Sequence, residues 1–139
     1  MEIFLKQIQG ISFAAKGDSN HWVVIDGNKR YGGSEAGTSP MELMLIGLAS
    51  CTGADVVSIL SKRRVKLQDF AMRVRADRAE EHPKVFTKIH IEYYFYGEVK
   101  QNDVEMAIDL SQQKYCSAVA MLKKTAEVTH SYYINQQIE

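Results

Sequence analysis

A chain of 139 residues, 45% of them hydrophobic, is long enough to bury a sizeable core and fits a single domain spanning 1–139. Seventeen basic residues balance seventeen acidic ones, with no basic stripe beside the aromatics and no charged tail, so a nucleic-acid partner is not expected. Two cysteines, with no basic region, apolar run and cleavage site after Met1, point to the reducing cytoplasm and argue against a disulfide scaffold. Residues 2–8 and 11–16 read as strands broken at Gly10, and His21 to Asp26 as a third, closed by the turn residues Asp26-Gly27-Asn28. Asn28 to Ser39 is polar and glycine-rich. It lacks the Gly-Lys-Ser/Thr ending of a phosphate loop and reads as a flexible lead-in to the next helix.

That helix, Pro40 to Leu60, dominates the chain. Ser39-Pro40-Met41-Glu42 forms a capping box with proline at the first helical position, and Lys62, Arg63 and Arg64 suit the negative end of the helix dipole. Between Leu43 and Leu60 apolar side chains fall on nearly every side, which predicts a helix buried all round. The run approaches membrane length, yet Asp55, its hydroxyls and its capped start favour a core helix, so no membrane span is expected.

Beyond it, Lys66 to Ala79 alternates as a strand, Glu80-Glu81-His82-Pro83 turns, and Lys84 to Gly97 forms a long strand. Val85, Ile89, Ile91, Tyr93 and Phe95 lie on one side of it, and Lys88, His90 and Glu92 on the other. Asn102-Asp103-Val104-Glu105 is a second capping box, opening a helix through Leu110. Tyr115 to Lys124 is again helical and carries Cys116, and Ala126 to Ile134 alternates as a closing strand with His130 in its apolar row. Strands, helix, strands, helices and strand, joined by hairpin-type connections, make an α+β fold with antiparallel sheet. Covering the central helix on all sides calls for a homodimer.

Cys51 and Cys116 stand 65 residues apart, each beside small residues in helical sequence. Two such thiols suit a peroxidase, in which one thiolate attacks the peroxide and the second resolves the sulfenic acid as a disulfide; inert packing is the alternative role for each. Asp55 lies one helical turn after Cys51 on the same face, where a carboxylate can orient a partner or accept a proton, or simply be a buried, hydrogen-bonded side chain. Glu42 has its capping role, and reaches the thiol face only if the helix bends at Gly47. The histidines show no helical ligand spacing and there is no Cys-x-x-Cys, so neither zinc nor another cofactor is expected, and His130 reads as a hydrogen-bonded core histidine.

The order of motifs resembles the OsmC/Ohr superfamily of osmotically inducible and organic hydroperoxide resistance proteins, most closely its YhfA-like branch. The resemblance rests on Gly37-Thr38-Ser39-Pro40-Met41-Glu42-Leu43, Ala49-Ser50-Cys51, Asp55 to Leu60, Arg78 to Phe86 and Lys114-Tyr115-Cys116-Ser117. It implies antiparallel sheets wrapped around two long buried helices in an intertwined homodimer, with two sites at the subunit interface. It also implies that Cys51 attacks an organic hydroperoxide and Cys116 resolves it, with a dithiol such as a lipoyl protein as reductant. The peroxidase branches carry a glutamate directly after the helix-opening proline, where Met41 stands here, and an arginine on an early strand, whereas no arginine precedes Arg30. Asp55, Lys16 and Arg30 are the side chains left to take that part. A member of the superfamily that binds a small hydrophobic or electrophilic molecule in the interface cleft, or an inert structural dimer, are the other readings.

Overall fold

The computed structural model describes residues 1–138 and divides into two compact units, Met1–Ile46 and the chain from Gly47 onward. In the first, β1 (Ile3–Gln9), β2 (Ser12–Gly17) and β3 (Trp22–Ile25) form an antiparallel meander in that order, as the alternation at the start of the chain predicts. The meander leaves much apolar surface exposed, including Ile3, Leu5, Trp22 and Val23.

The loop after β3 corrects the expectation of a flexible lead-in. The carboxylate of Asp26, itself buried, accepts the backbone N–H groups of Gly27 (2.7 Å), Ser34 (3.1 Å) and Ala36 (3.0 Å). The Ala36 bond leads in holding this carboxyl down at about 2, against the opposing effect of burial, with Gly27, Ser34 and Ser12 adding to it. Thr38 exchanges backbone hydrogen bonds with Val24 and Asp26, so the loop returns along β3 as a short parallel bridge. At Gly33 a β-carbon would lie 1.9 Å from the Gly27 carbonyl oxygen, so only glycine permits this path.

Helix α1 (Pro40–Lys62) starts where the capping box predicts: the Ser39 N–H donates to Glu42 Oε2 at 2.8 Å, and the hydroxyl and N–H of Ser39 lower the Glu42 carboxyl. Its buried face is one stripe, Leu48, Thr52, Gly53, Val56 and Leu60. Met44, Ile46 and Val57 lie off this stripe and are exposed on the single chain. The second unit supplies the sheet that covers the buried stripe. A β-carbon added at Gly53 would stand 3.0 Å from Met72 Sδ and 3.4 Å from Phe70, so the helix backbone lies directly on the sheet.

That sheet consists of β4 (Lys66–Arg78), β5 (Phe86–Glu98) and β6 (Glu127–Ile134), in the order β4-β5-β6. Ile89, Ile91, Tyr93 and Phe95 form the buried face of β5, as the alternation predicts, and Phe70 packs on Phe95 with ring centres 5.2 Å apart. On the opposite face Glu92 is held by Arg75, Arg73 and the Tyr94 hydroxyl.

Helix α2 (Gln101–Leu110), a turn of π-helix (Ser111–Tyr115) and α3 (Ser117–Leu122) connect β5 to β6. Because this connection returns the chain to the start of β5, β6 runs parallel to it, which corrects the expectation of hairpin-type connections alone and makes the second sheet mixed. The second capping box is not used either. Helix α2 opens at Gln101, Asp103 pairs with Arg63 at 2.8 Å, and Glu105 accepts from Tyr132 and Gln101. His130 is exposed with its ring edge-on to Tyr93. His90 is the hydrogen-bonded histidine, reaching Thr129 and Ser131.

Candidate active site

One turn of α1 separates Cys51 from Asp55, and the helical repeat aims both toward the connection between α2 and α3. Cys116 is not inside a helix, as its sequence context suggests. The π turn adds a residue to the coil, with the Cys116 N–H bonding the Ser111 carbonyl five residues back, and the backbone then extends at Cys116 (φ −73°, ψ 104°) before α3 begins. Cys116 therefore occupies the N-cap of α3, where its sulfur accepts the Val119 N–H at 3.4 Å. The sulfurs of Cys51 and Cys116 and a carboxylate oxygen of Asp55 lie within 4.8 Å of one another.

The two thiols differ in environment. Cys51 is half-buried, whereas Cys116 is only 3% exposed. Burial, reinforced by the adjacent Cys51 sulfur and opposed by the Val119 N–H, pushes the Cys116 thiol up to about 11. Cys116 is thus a protonated thiol at neutral pH.

Behind the cluster runs a chain of hydroxyls that no sequence motif announces. Ser111 Oγ donates to Asp55 Oδ2 at 3.0 Å. Ser111 has a single proton, so it accepts from Thr52 at 2.9 Å; Thr52 in turn accepts from the Tyr93 hydroxyl at 2.7 Å, which accepts from Gln112 Nε2 at 2.7 Å. The donors run in one direction, Gln112 to Tyr93 to Thr52 to Ser111, and end on the Asp55 carboxylate. Thr52 and Ser111 are fully buried, and among the described residues no buried side-chain oxygen or nitrogen lacks a partner. The one signal for this chain in the sequence is Thr52, a polar side chain in the apolar stripe beside Cys51.

Asp55 also opens on a cleft of about 360 Å³, walled by Ile59, Met106, Leu110 and Tyr115 with Lys62 and Arg63 at its edge. Glu42 stays in the helix cap. Lys16 bonds Asn20 at 2.6 Å and lies over Trp22, and the Arg30 guanidinium packs on Tyr31, so each is engaged within the first unit.

Residues 32–131 match the sequence profile described as OsmC-like protein. The chain belongs to the OsmC-like family. Over 135 residues this OsmC-like chain is 36% identical to Protein YhfA of Escherichia coli K12, covering 96% of the one and 98% of the other. Among solved structures, a hypothetical protein from Aquifex aeolicus is 31% identical, covers 97% of each chain and superposes with a TM-score of 0.82. The same fold recurs at 17% identity in an organic hydroperoxide resistance protein, OsmC, of Legionella pneumophila, with a TM-score of 0.71 and coverage of 95% and 96%.

Proposed function

We propose that this OsmC-like chain is a thiol peroxidase for organic hydroperoxides, acting in the cytoplasm as a homodimer, with Cys51 as attacking thiol and Cys116 as resolving thiol. The observation that carries the reading is the meeting of two thiols from distant segments within 4.8 Å, one half-exposed and the other buried. In the first step the Cys51 thiolate attacks the outer oxygen of the hydroperoxide. The O–O bond breaks, the alcohol leaves with a proton, and Cys51 becomes a sulfenic acid. The Cys116 sulfur, giving its proton to the Asp55 carboxylate, then attacks the Cys51 sulfur; Asp55 passes that proton to the departing hydroxide, which leaves as water, and a Cys51–Cys116 disulfide remains. A dithiol reductant, of which a lipoyl protein is the favoured example, returns both thiols by exchange.

Asp55 has a role in this scheme as acceptor of the Cys116 proton during resolution, held in place by Ser111. Glu42 contributes by anchoring the start of the helix that carries Cys51. The apolar walls of the cleft beside Asp55 suit an organic rather than an inorganic peroxide. Exposed apolar side chains on α1 and on the first sheet support a second copy as partner.

Treating the reduced protein with one equivalent of a bulky organic hydroperoxide tests the reading. A rapid Cys51–Cys116 disulfide is expected, abolished in Cys51→Ser and replaced by over-oxidised Cys51 in Cys116→Ser. Survival of both thiols at the rate of an ordinary free thiol would reject it. The cleft itself would then favour the second reading, a protein that binds a small hydrophobic or electrophilic molecule.

A further inference from the structure

We propose that Cys51, Asp55 and Cys116 form a binding site for Zn²⁺ in the reduced protein. The donor set is two thiolates and one carboxylate, a set that favours zinc over the hard cations that take oxygen ligands alone. Cys51 and Asp55 stand at i and i+4 on α1, the spacing that turns two side chains of a helix toward one ion, and Cys116 enters from the N-cap of α3. Bonds of about 2.3 Å to sulfur and about 2.0–2.2 Å to carboxylate oxygen put tetrahedral ligand atoms roughly 3.5–3.8 Å apart. The three atoms already lie within 4.8 Å of one another, so closing on the ion takes a contraction of at most about 1.3 Å. The sequence conceals the site because its third ligand is 65 residues from the first.

The surroundings are those a metal-bound set requires. Ser111 fixes the Asp55 carboxylate through Oδ2, with Thr52 and Tyr93 holding Ser111 behind it. The Val119 N–H points at the Cys116 sulfur, where it stabilises a thiolate ligand. Half-buried Cys51 gives the ion a route from solvent, and three protein ligands leave one tetrahedral position for water or an external thiol. Binding displaces the two thiol protons to solvent and involves no electron transfer, since zinc is redox-inert. The same two sulfurs cannot hold zinc and be joined to each other, so zinc and the disulfide exclude one another. The site does not depend on the peroxidase reading; a protein that fails to reduce hydroperoxides can still bind zinc.

The test uses the reduced, metal-free full chain. Zn²⁺ is titrated against a chromophoric chelator, and Co²⁺ is then substituted to read thiolate-to-metal charge transfer. One Zn²⁺ per chain is expected, with an intense charge-transfer band for Co²⁺ and protection of both cysteines from N-ethylmaleimide. Oxidation of the unmutated protein to the disulfide should abolish binding. Ser111→Ala, which keeps all three ligands but removes the hydrogen bond that supports Asp55, should weaken binding about 10-fold. Absence of the charge-transfer band in the unmutated protein overturns the proposal. Zinc that binds equally well after disulfide formation, or without protecting either thiol, overturns it too. Hydroperoxide turnover is measured separately on metal-free protein, so failure of one reading is distinguishable from failure of the other.

Discussion

Ser111 and Asp55, 56 positions apart in sequence, are joined by a 3.0 Å hydrogen bond that ties the end of one helix to the cysteine-bearing face of another. Ser111 opens the π turn Ser111–Tyr115, which ends just before Cys116. The turn carries the chain from Ser111, bonded to α1, to Cys116, where the backbone is extended. The two ends of one local distortion thus meet Asp55 and Cys51 respectively.

Replacing Ser111 by alanine removes the donor to Asp55 and the acceptor of the Thr52 hydroxyl together. The site is fully buried, so the stranded partners should cost about 1–3 kcal/mol, read as a lower urea midpoint with an unchanged slope. A variant as stable as the parent would mean that the hydroxyl chain does not hold the elements together.

Asp55→Asn keeps the shape and a hydrogen-bonding oxygen but loses the negative charge. If the carboxylate takes the Cys116 proton, resolution slows by about 100-fold while attack by Cys51 changes much less. Stopped-flow measurement of hydroperoxide consumption and of disulfide formation separates the steps. Equal slowing of both would assign Asp55 to positioning of Cys51 instead.

The Cys51–Asp55 relationship was open to sequence reasoning because a helix fixes what lies four residues away. The buried row Ile89, Ile91, Tyr93 and Phe95 was open for the same reason, a local period of two. Tyr93 was legible as core, yet its hydroxyl was not legible as a link to Thr52, since that contact spans 41 positions. Periodicity says which side of an element is buried and nothing about which buried groups meet. The parallel setting of β6 escaped for a related reason: Glu127–Ile134 alternates identically whichever way its neighbour runs. The order of the loop between Asn28 and Ser39 is invisible in its composition because it comes from Asp26, one side chain outside it.

Asp26 makes a pH-dependent contribution with a definite sign. Its carboxyl lies at about 2 in the folded chain against 3.8 ordinarily, so the native state favours the ionised form. That stabilisation is complete above about pH 4 and is lost as pH falls through 2. Asp26→Asn should therefore be less stable than the parent at pH 7, with the difference shrinking toward pH 2. Urea midpoints for both proteins at pH 7, 4 and 2 give the comparison, and a difference independent of pH would contradict the assignment.

At Gly53, α1 packs directly on Met72 and Phe70 of its sheet. A valine there drives branched carbons against Met72 and Phe70, where even a β-carbon sits at 3.0 and 3.4 Å. Overpacking of this kind costs about 1–3 kcal/mol despite the better helix propensity of valine over glycine. Thermal unfolding should show a lower midpoint, whereas a raised midpoint would mean that the helix lifts freely off the sheet.

Val57, one position past the buried Val56, stands 38% exposed on a helix whose other apolar face is fully covered. If a second copy covers this face, Val57→Glu places a charge in an apolar contact and leaves it without a partner. Light scattering should then give about twice the 15.7 kDa chain mass for the parent and a shift toward the single-chain mass for the variant. A parent that runs at the single-chain mass across concentrations would leave the exposed face of α1 without its proposed partner.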